Sequence, residues 1–432
     1  MSNLRHRFFL IAALSVPLVP VAASADDDFS FDVEEFENKS FEIGGYVEGE
    51  WKHFGFDRGS ALYGLVRYPE LNEGTNDQFQ ETLRLEGSWR GGIATLSAAA
   101  QANAIQDDFS HDHDIELFEG TLTLQPDPGV AVEVGKKALK WGKGYAWSPV
   151  GFVERTKDPD NPTESREGFV MLTGDLIASF DSPLRTVALT PVVLPVDGAL
   201  NNDFGTQDEV NLAAKLYLLA WDTDIDLMVL GNGSRTTRYG FDFSRNLTEN
   251  FEIHGEWARI EANRRTVAGP DGPNRKVEED ATNYLLGLRY LTESDMTIIA
   301  EYFHQGTGYS EAEMRAFFDL AHQAVSSGSD SQLSRAKAAQ SAGYGKSTPA
   351  RNYGYVSISQ KEPFDLLYWT PSVKSIVNLD DFSYSVTPEI QYAGIEDLEL
   401  RLRLGYLHGG RFDEYGEKAN DYKLEMRARY HF

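Results

Sequence analysis

Tyr422-Lys423-Leu424-Glu425-Met426-Arg427-Ala428-Arg429-Tyr430-His431-Phe432 closes the chain, and the reading of this stretch decides the fold. At a period of two, Leu424, Met426, Ala428, Tyr430 and Phe432 fall on one face, and Lys423, Glu425, Arg427, Arg429 and His431 on the other. One face is apolar and the other charged. The run from Leu398 to Leu407 repeats the pattern, with Leu398, Leu400, Leu402, Leu404 and Tyr406 outward and Glu399, Arg401 and Arg403 inward.

Two such strands, ended by an aromatic residue, resemble the C-terminal end of a Gram-negative outer-membrane β-barrel. The final Tyr-His-Phe resembles the aromatic signature by which such barrels reach their assembly site. The resemblance implies residence in the bacterial outer membrane, contact with its lipid and lipopolysaccharide, and handling by the outer-membrane assembly machinery.

Working outward from that end, the same alternation marks Ile43 to Phe54 and Leu83 to Trp89. It recurs near 93–104, 115–125, 129–141, 166–179, 184–196, 209–221, 223–231, 236–246, 250–262, 282–292, 295–306, 351–360, 365–378, 381–392, 396–408 and 422–432. The spacing therefore predicts an all-β chain, a transmembrane antiparallel barrel of about eighteen strands over 41–432, the even number expected of a single-chain bacterial barrel. Short links such as Arg90-Gly91-Gly92 and Glu362-Pro363 alternate with long ones at 57–78, 105–114, 142–165, 197–208, 263–281, 307–350 and 409–421. Two further outer links, near Gly231 to Ser234 and Asn378 to Asp380, are short. Long extracellular loops and short inner turns are what a barrel with both ends in the periplasm requires. Trp51, Trp89, Trp257, Tyr284, Tyr290 and Tyr392 lie on the apolar alternation, where interfacial girdles belong.

Composition fits this reading. The chain has 432 residues and no cysteine, so no disulfide framework supports it. A mean hydropathy of -0.40 does not argue against a membrane barrel, because its strands need only every second residue apolar. Residues 1–25 read as a signal peptide: Arg5 and Arg7, an apolar run from Phe8 to Leu14, and a small-x-small site at Ala23-Ser24-Ala25. Its removal leaves 38 basic against 67 acidic residues and moves the net charge from -27 to -29, which excludes non-specific nucleic-acid binding. Residues 26–40 read as an acidic periplasmic leader, or alternatively as a small plug.

Four places could carry function. Arg84, Lys137, Arg289, Arg401, Arg403, Lys423, Arg427 and Arg429 fall on lumen-facing positions, with Arg90, Lys215 and Arg238 on or near them. A basic lining would favour anions through its local field, unless interleaved glutamates such as Glu48, Glu389 and Glu425 merely neutralise it. The segment after the fifth strand, Gly135 to Pro149, resembles the Gly-basic-polar stretch of alginate-export and related porin-like barrels, with Lys136 and Lys137 where that pattern has Arg and Gln. In general porins the loop after the fifth strand folds into the barrel. By that resemblance Lys140, Lys143, Arg155, Lys157 and Asp158 are candidate constriction residues, the alternative being a loop lying over the rim.

The loop 307–350 carries the capping-box form Ser310-Glu311-Ala312-Glu313 and a helical stripe of Met314, Phe317, Phe318, Ala321, Ala324 and Val325. It reads as a lid, an inward plug or an exterior decoration. Asp107, Asp108, His111, Asp112, His113 and Asp114 crowd one outer loop, where carboxylates and imidazoles are weak candidates for a divalent cation. No Gly-x-Ser-x-Gly, His-Glu-x-x-His or phosphate loop is present, and no cofactor is implied. His53, His254, His304 and His408 would be the residues to suspect of catalysis on a barrel wall. The sequence thus points to a non-enzymatic channel that passes a small polar, possibly anionic, solute or a polysaccharide by diffusion, gated by its loops. The alternative is a non-transporting barrel that serves as a sleeve or docking partner for other envelope proteins.

Overall fold

A computed structural model describes residues 40–269 and 272–432. The signal peptide expected at 1–25, and all of the 26–40 leader except Ser40, lie outside the described residues. The first six strands are β1 (Phe41–Phe56), β2 (Thr75–Gly91), β3 (Ala94–Asp107), β4 (His111–Asp127), β5 (Val130–Lys137) and β6 (Phe169–Ser179). Next come β7 (Leu184–Val196), β8 (Glu209–Ala220), β9 (Thr223–Leu230), β10 (Arg238–Thr248), β11 (Phe251–Val267) and β12 (Arg275–Leu291). The last are β13 (Met296–Gln305), β14 (Asn352–Gln360), β15 (Trp369–Asn378), β16 (Tyr384–Ile395), β17 (Leu398–His408) and β18 (Asn420–His431).

Each strand pairs antiparallel with the next, and β18 pairs with β1 in the register Gly49 to Ala428 and Glu50 to Arg427. The eighteen-stranded sheet is therefore closed. On β18, Met426 and Tyr430 are exposed on the outer wall while Glu425 is buried inside, as the period of two requires. The outer wall elsewhere exposes Val47, Leu83, Leu96, Ile115, Leu212, Leu286 and Leu402. An apolar exterior on a sheet without edges is the solution a bilayer imposes, because no backbone group can remain unpaired in lipid. No helix among the described residues is long and apolar enough to cross a membrane; the strands cross it.

Three hairpins extend further than the alternation indicated. β2 begins at Thr75, only 108–110 separate β3 from β4, and β11 and β12 continue to Val267 and from Arg275. Beyond the lipid both faces of a hairpin are polar, so the apolar signal vanishes while the ladder continues. Cross-strand pairs replace it, Arg264 with Glu278 and Arg265 with Glu279, both at 2.8 Å. Conversely, β5 stops at Lys137 instead of reaching 141, because Leu139 and Trp141 turn inward and are buried.

Three helices belong to the outer loops: α1 (Ala61–Arg67), α2 (Glu311–Ser327) and α3 (Asp330–Ala339). The capping box at Ser310 and Glu313 starts α2, and Gly328, at φ +62°, ends it in the left-handed conformation that glycine adopts without strain. Phe317, Phe318, Leu320 and Tyr344 pack with Leu62 and Leu65 of α1 and with Ala268, Phe412 and Ala419. Helices from one loop thus share a core with three other outer loops.

Candidate solute pathway

Loop 138–168 folds into the barrel, and the inner wall explains why. Val192, Leu194 and Val196 of β7, with Phe169, Met171, Met228 and Leu230, make the inside of β6 to β9 apolar. Leu139, Trp141, Val150, Phe152 and Val153 of the loop cover that surface. Burying each such side chain is worth roughly 1.5–3 kcal/mol. Ala146 and Trp147 continue across to Leu285, Phe303, Tyr353 and Tyr355, with the Trp147 and Phe303 rings stacked at 5.1 Å.

Wall carboxylates then fix the loop backbone. Glu256 of β11 accepts the N–H groups of Lys143 at 2.7 Å, Gly144 at 2.6 Å and Val150 at 3.2 Å. Glu301 of β13 accepts those of Tyr145 and Ala146, the latter at 2.9 Å, and also bonds His254 Nε2 at 3.0 Å. Gly142 lies at φ +95°, and a Cβ there would come within 2.7 Å of Glu256, so a side chain has no room. Within the loop, Glu154 is buried, accepts the Trp141 N–H and pairs with Arg166 at 2.8 Å. Burial raises its carboxyl above the usual range, against the pull of Arg166.

The apolar part of the loop fills one side of the lumen and its polar tip faces the other. Asn161, Thr163, Glu164 and Ser165 there line a cavity of about 310 Å³ opposite Arg84, Arg401, Arg403, Arg427 and Arg429. The arginines are paired in a ladder: Arg403 with Glu389 at 2.6 Å, Arg401 with Glu425 at 2.7 Å, Arg429 with Glu48 at 2.7 Å, and Arg427 with Glu399. A guanidinium has five N–H donors, so pairing leaves some unused. Nε of Arg401 and Nε of Arg427 have no hydrogen-bond partner.

Further cavities adjoin this one. One of about 260 Å³ shares Arg403 with it and is lined by Lys418, Lys423 and Asp160. A chamber of about 770 Å³ on the outer side shares Asp160 and Ser347 with that cavity. Towards the other end a cavity of about 450 Å³ shares Arg84 and Glu86 with the ladder.

The residues singled out in the sequence are distributed unevenly along this route. Arg84, Arg401, Arg403, Arg427 and Arg429 converge, and Lys423 stands just above them. Lys137 is ion-paired with Glu133 on its own strand, and Arg289 reaches the Tyr145 hydroxyl at 3.4 Å. Of the loop residues, Arg155, Lys157 and Asp158 line the outer chamber. Arg155 is held by Glu167 at 2.7 Å and by Asp203. Lys143 instead points to the wall, at 2.8 Å from Asp226, and this contact holds it above the usual lysine value although burial alone would lower it. Lys140 is exposed and makes no hydrogen bond or ion pair. Sequence reasoning missed Lys374, which the alternation of Thr370, Ser372 and Lys374 along β15 could have given, and the tip residues 161–165.

The acidic and imidazole residues at 107–114 are spread over two strands and a tight turn. Asp107 accepts the Phe109 and Ser110 N–H groups at 2.7 and 2.6 Å, Asp108 that of Asp77 at 3.0 Å, and Asp112 that of His113 at 2.9 Å. Asp114 points inward to Asn103, and His111 begins β4. Among the described residues no group of three such side chains converges to hold a metal ion. His53 bonds Asp77 at 2.9 Å, His304 bonds Asn352 at 2.8 Å, and His408 lies beside the Tyr384 ring.

No protein-family model and no curated protein matches this sequence. Solved structures do match in fold. OccAB1 of Acinetobacter baumannii aligns over 91% of this chain and 97% of its own, with a TM-score of 0.55 at 10% identity. OccK5 (OpdH) of Pseudomonas aeruginosa aligns over 90% and 98%, with 0.52 at 10% identity. OpdQ of Pseudomonas aeruginosa aligns over 91% and 99%, with 0.51 at 10% identity. With its closed sheet, apolar outer wall and inward loop, the chain is a porin-like β-barrel of the outer-membrane type.

Proposed function

We propose that the barrel passes small polar solutes, anions in preference to cations, down their gradient across the outer membrane. In this reading loop 138–168 sets the constriction and the 306–351 lid gates access from outside. The observation that carries it is the succession of four adjoining cavities, each sharing lining residues with the next and each lined by lysine or arginine. The Arg–Glu pairing of the ladder tempers the field, so selection comes from spare guanidinium donors as well as from net charge. Diffusion suffices, and no chemical step is assigned to the wall. The test is swelling of proteoliposomes in iso-osmotic solutes of matched size. Gluconate should enter faster than glucose, and lysine more slowly than either; equal rates, or fastest entry of lysine, would contradict the reading.

A further inference from the structure

The outer chamber has a property the ladder lacks: four of its five cations have no ion pair. Arg238, at the extracellular end of β10, makes no hydrogen bond or ion pair, and its Nε is buried. Lys346 and Lys157 have no carboxylate within 4.0 Å; Lys157 donates only to the Gly144 carbonyl. Arg235 spends its donors on the backbone carbonyls of Phe204 at 2.6 Å and Phe152 at 2.9 Å. All four line the same 770 Å³ space, between the inward loop below and the lid segment above.

The chamber's acids do not neutralise this group. Glu154 is taken by Arg166, and its neighbour Arg155 by Glu167 and Asp203. Lys157 is drawn to Glu154, Glu256 and Glu301, and Arg235 to Asp203, while Arg238 and Lys346 face only Asp158 and Asp160 across the chamber. Asp158 accepts the Asp160 N–H at 3.1 Å, and Asp160 also lines the neighbouring cavity beside Lys418 and Lys423. The buried Nε of Arg238 has no hydrogen-bond partner in the chain, and because a buried donor left unsatisfied is costly, an acceptor from outside would stabilise it. Guanidinium groups match carboxylate and phosphate oxygens in pairs.

We propose that this chamber is a binding site for a small organic anion with two or more carboxylate or phosphate groups, captured under the lid before it meets the ladder. The proposal rests on the channel reading and narrows it to a solute class. A space of several hundred Å³ suits a molecule of that size.

The experiment is calorimetric titration of the detergent-solubilised barrel with citrate and, separately, with acetate. Citrate should bind saturably at one site and acetate far more weakly. Arg238→Gln and Lys346→Gln should each weaken citrate roughly tenfold to a hundredfold, while Arg185→Gln, an exposed residue paired with Asp222 at the start of β7, should leave it unchanged. Lys346 is an exposed side chain on the lid, so its replacement leaves the barrel intact even if Arg238→Gln does not fold. Absence of citrate binding, or affinity unchanged by Lys346→Gln, would overturn the proposal. Bilayer recording of the same preparations separates the two readings. Citrate binding that depends on Lys346 in a barrel that passes no ions would sink the channel and leave the site standing. Conduction without such binding would do the reverse.

Discussion

The backbone N–H of Gly144 donates to Glu256 Oε1 at 2.6 Å, tying the inward loop to a buried carboxylate on β11. Two more loop N–H groups share that carboxylate. Hydrogen bonds to a charged acceptor contribute about 1.5–3 kcal/mol each. Glu256→Ala should therefore free the 142–150 stretch without opening the sheet. Open-channel current noise should rise while heat-modifiable migration of the barrel is retained; a quiet variant would show that packing alone holds the loop.

Trp147 anchors the same loop by stacking, 5% exposed between Phe303 and Tyr353. Trp147→Ala should cost about 3–5 kcal/mol of local stability. Protease should then cut within 142–160 in folded barrels, where the parent resists.

In the last outer loop, Glu417 accepts the Ala61 N–H at 2.5 Å and the Phe412 N–H at 2.8 Å, and pairs with His322 at 2.9 Å. It thereby joins α1, α2 and the last outer loop. Glu417→Ala leaves buried donors unsatisfied, each costing about 1–3 kcal/mol. Amide exchange in 311–339 should accelerate, with strand protection unchanged.

Glu414 gives the last outer loop a pH dependence. It is buried, accepts from the Tyr353 hydroxyl at 2.6 Å and from Asn378 at 3.0 Å, and burial raises its pKa to about 7. A carboxyl raised above its ordinary value stabilises the folded loop fully below that ordinary value and loses the contribution as pH rises through about 7. Exchange of 409–419, corrected for intrinsic rates, should therefore speed up from pH 5 to pH 8, on the order of tenfold or more. Glu414→Gln should remove the dependence.

What the sequence made legible follows from what lipid enforces. Alternation at Leu398 to Leu407 and in the last strand is unambiguous because one face meets hydrocarbon and the other the lumen, so the ladder arginines could be placed from spacing alone. The same logic fails where lipid is absent, as in the Arg264–Glu278 hairpin, whose two polar faces carry no apolar alternation. It also fails where the inner wall is apolar. The unbroken run Val192-Val193-Leu194 signals that both faces are covered, and the loop residues Trp141 and Phe152 are what cover the inside. Nothing in the sequence around Lys143 reveals Asp226, more than eighty residues away and met only through the barrel's closure.

The most direct measurement is the zero-current potential of single barrels in a planar bilayer under a salt gradient. The account predicts anion selectivity that moves towards cations when Arg401 and Arg427, whose Nε groups make no hydrogen bond, are replaced by glutamine. Cation selectivity in the parent, or a potential indifferent to both replacements, would contradict it.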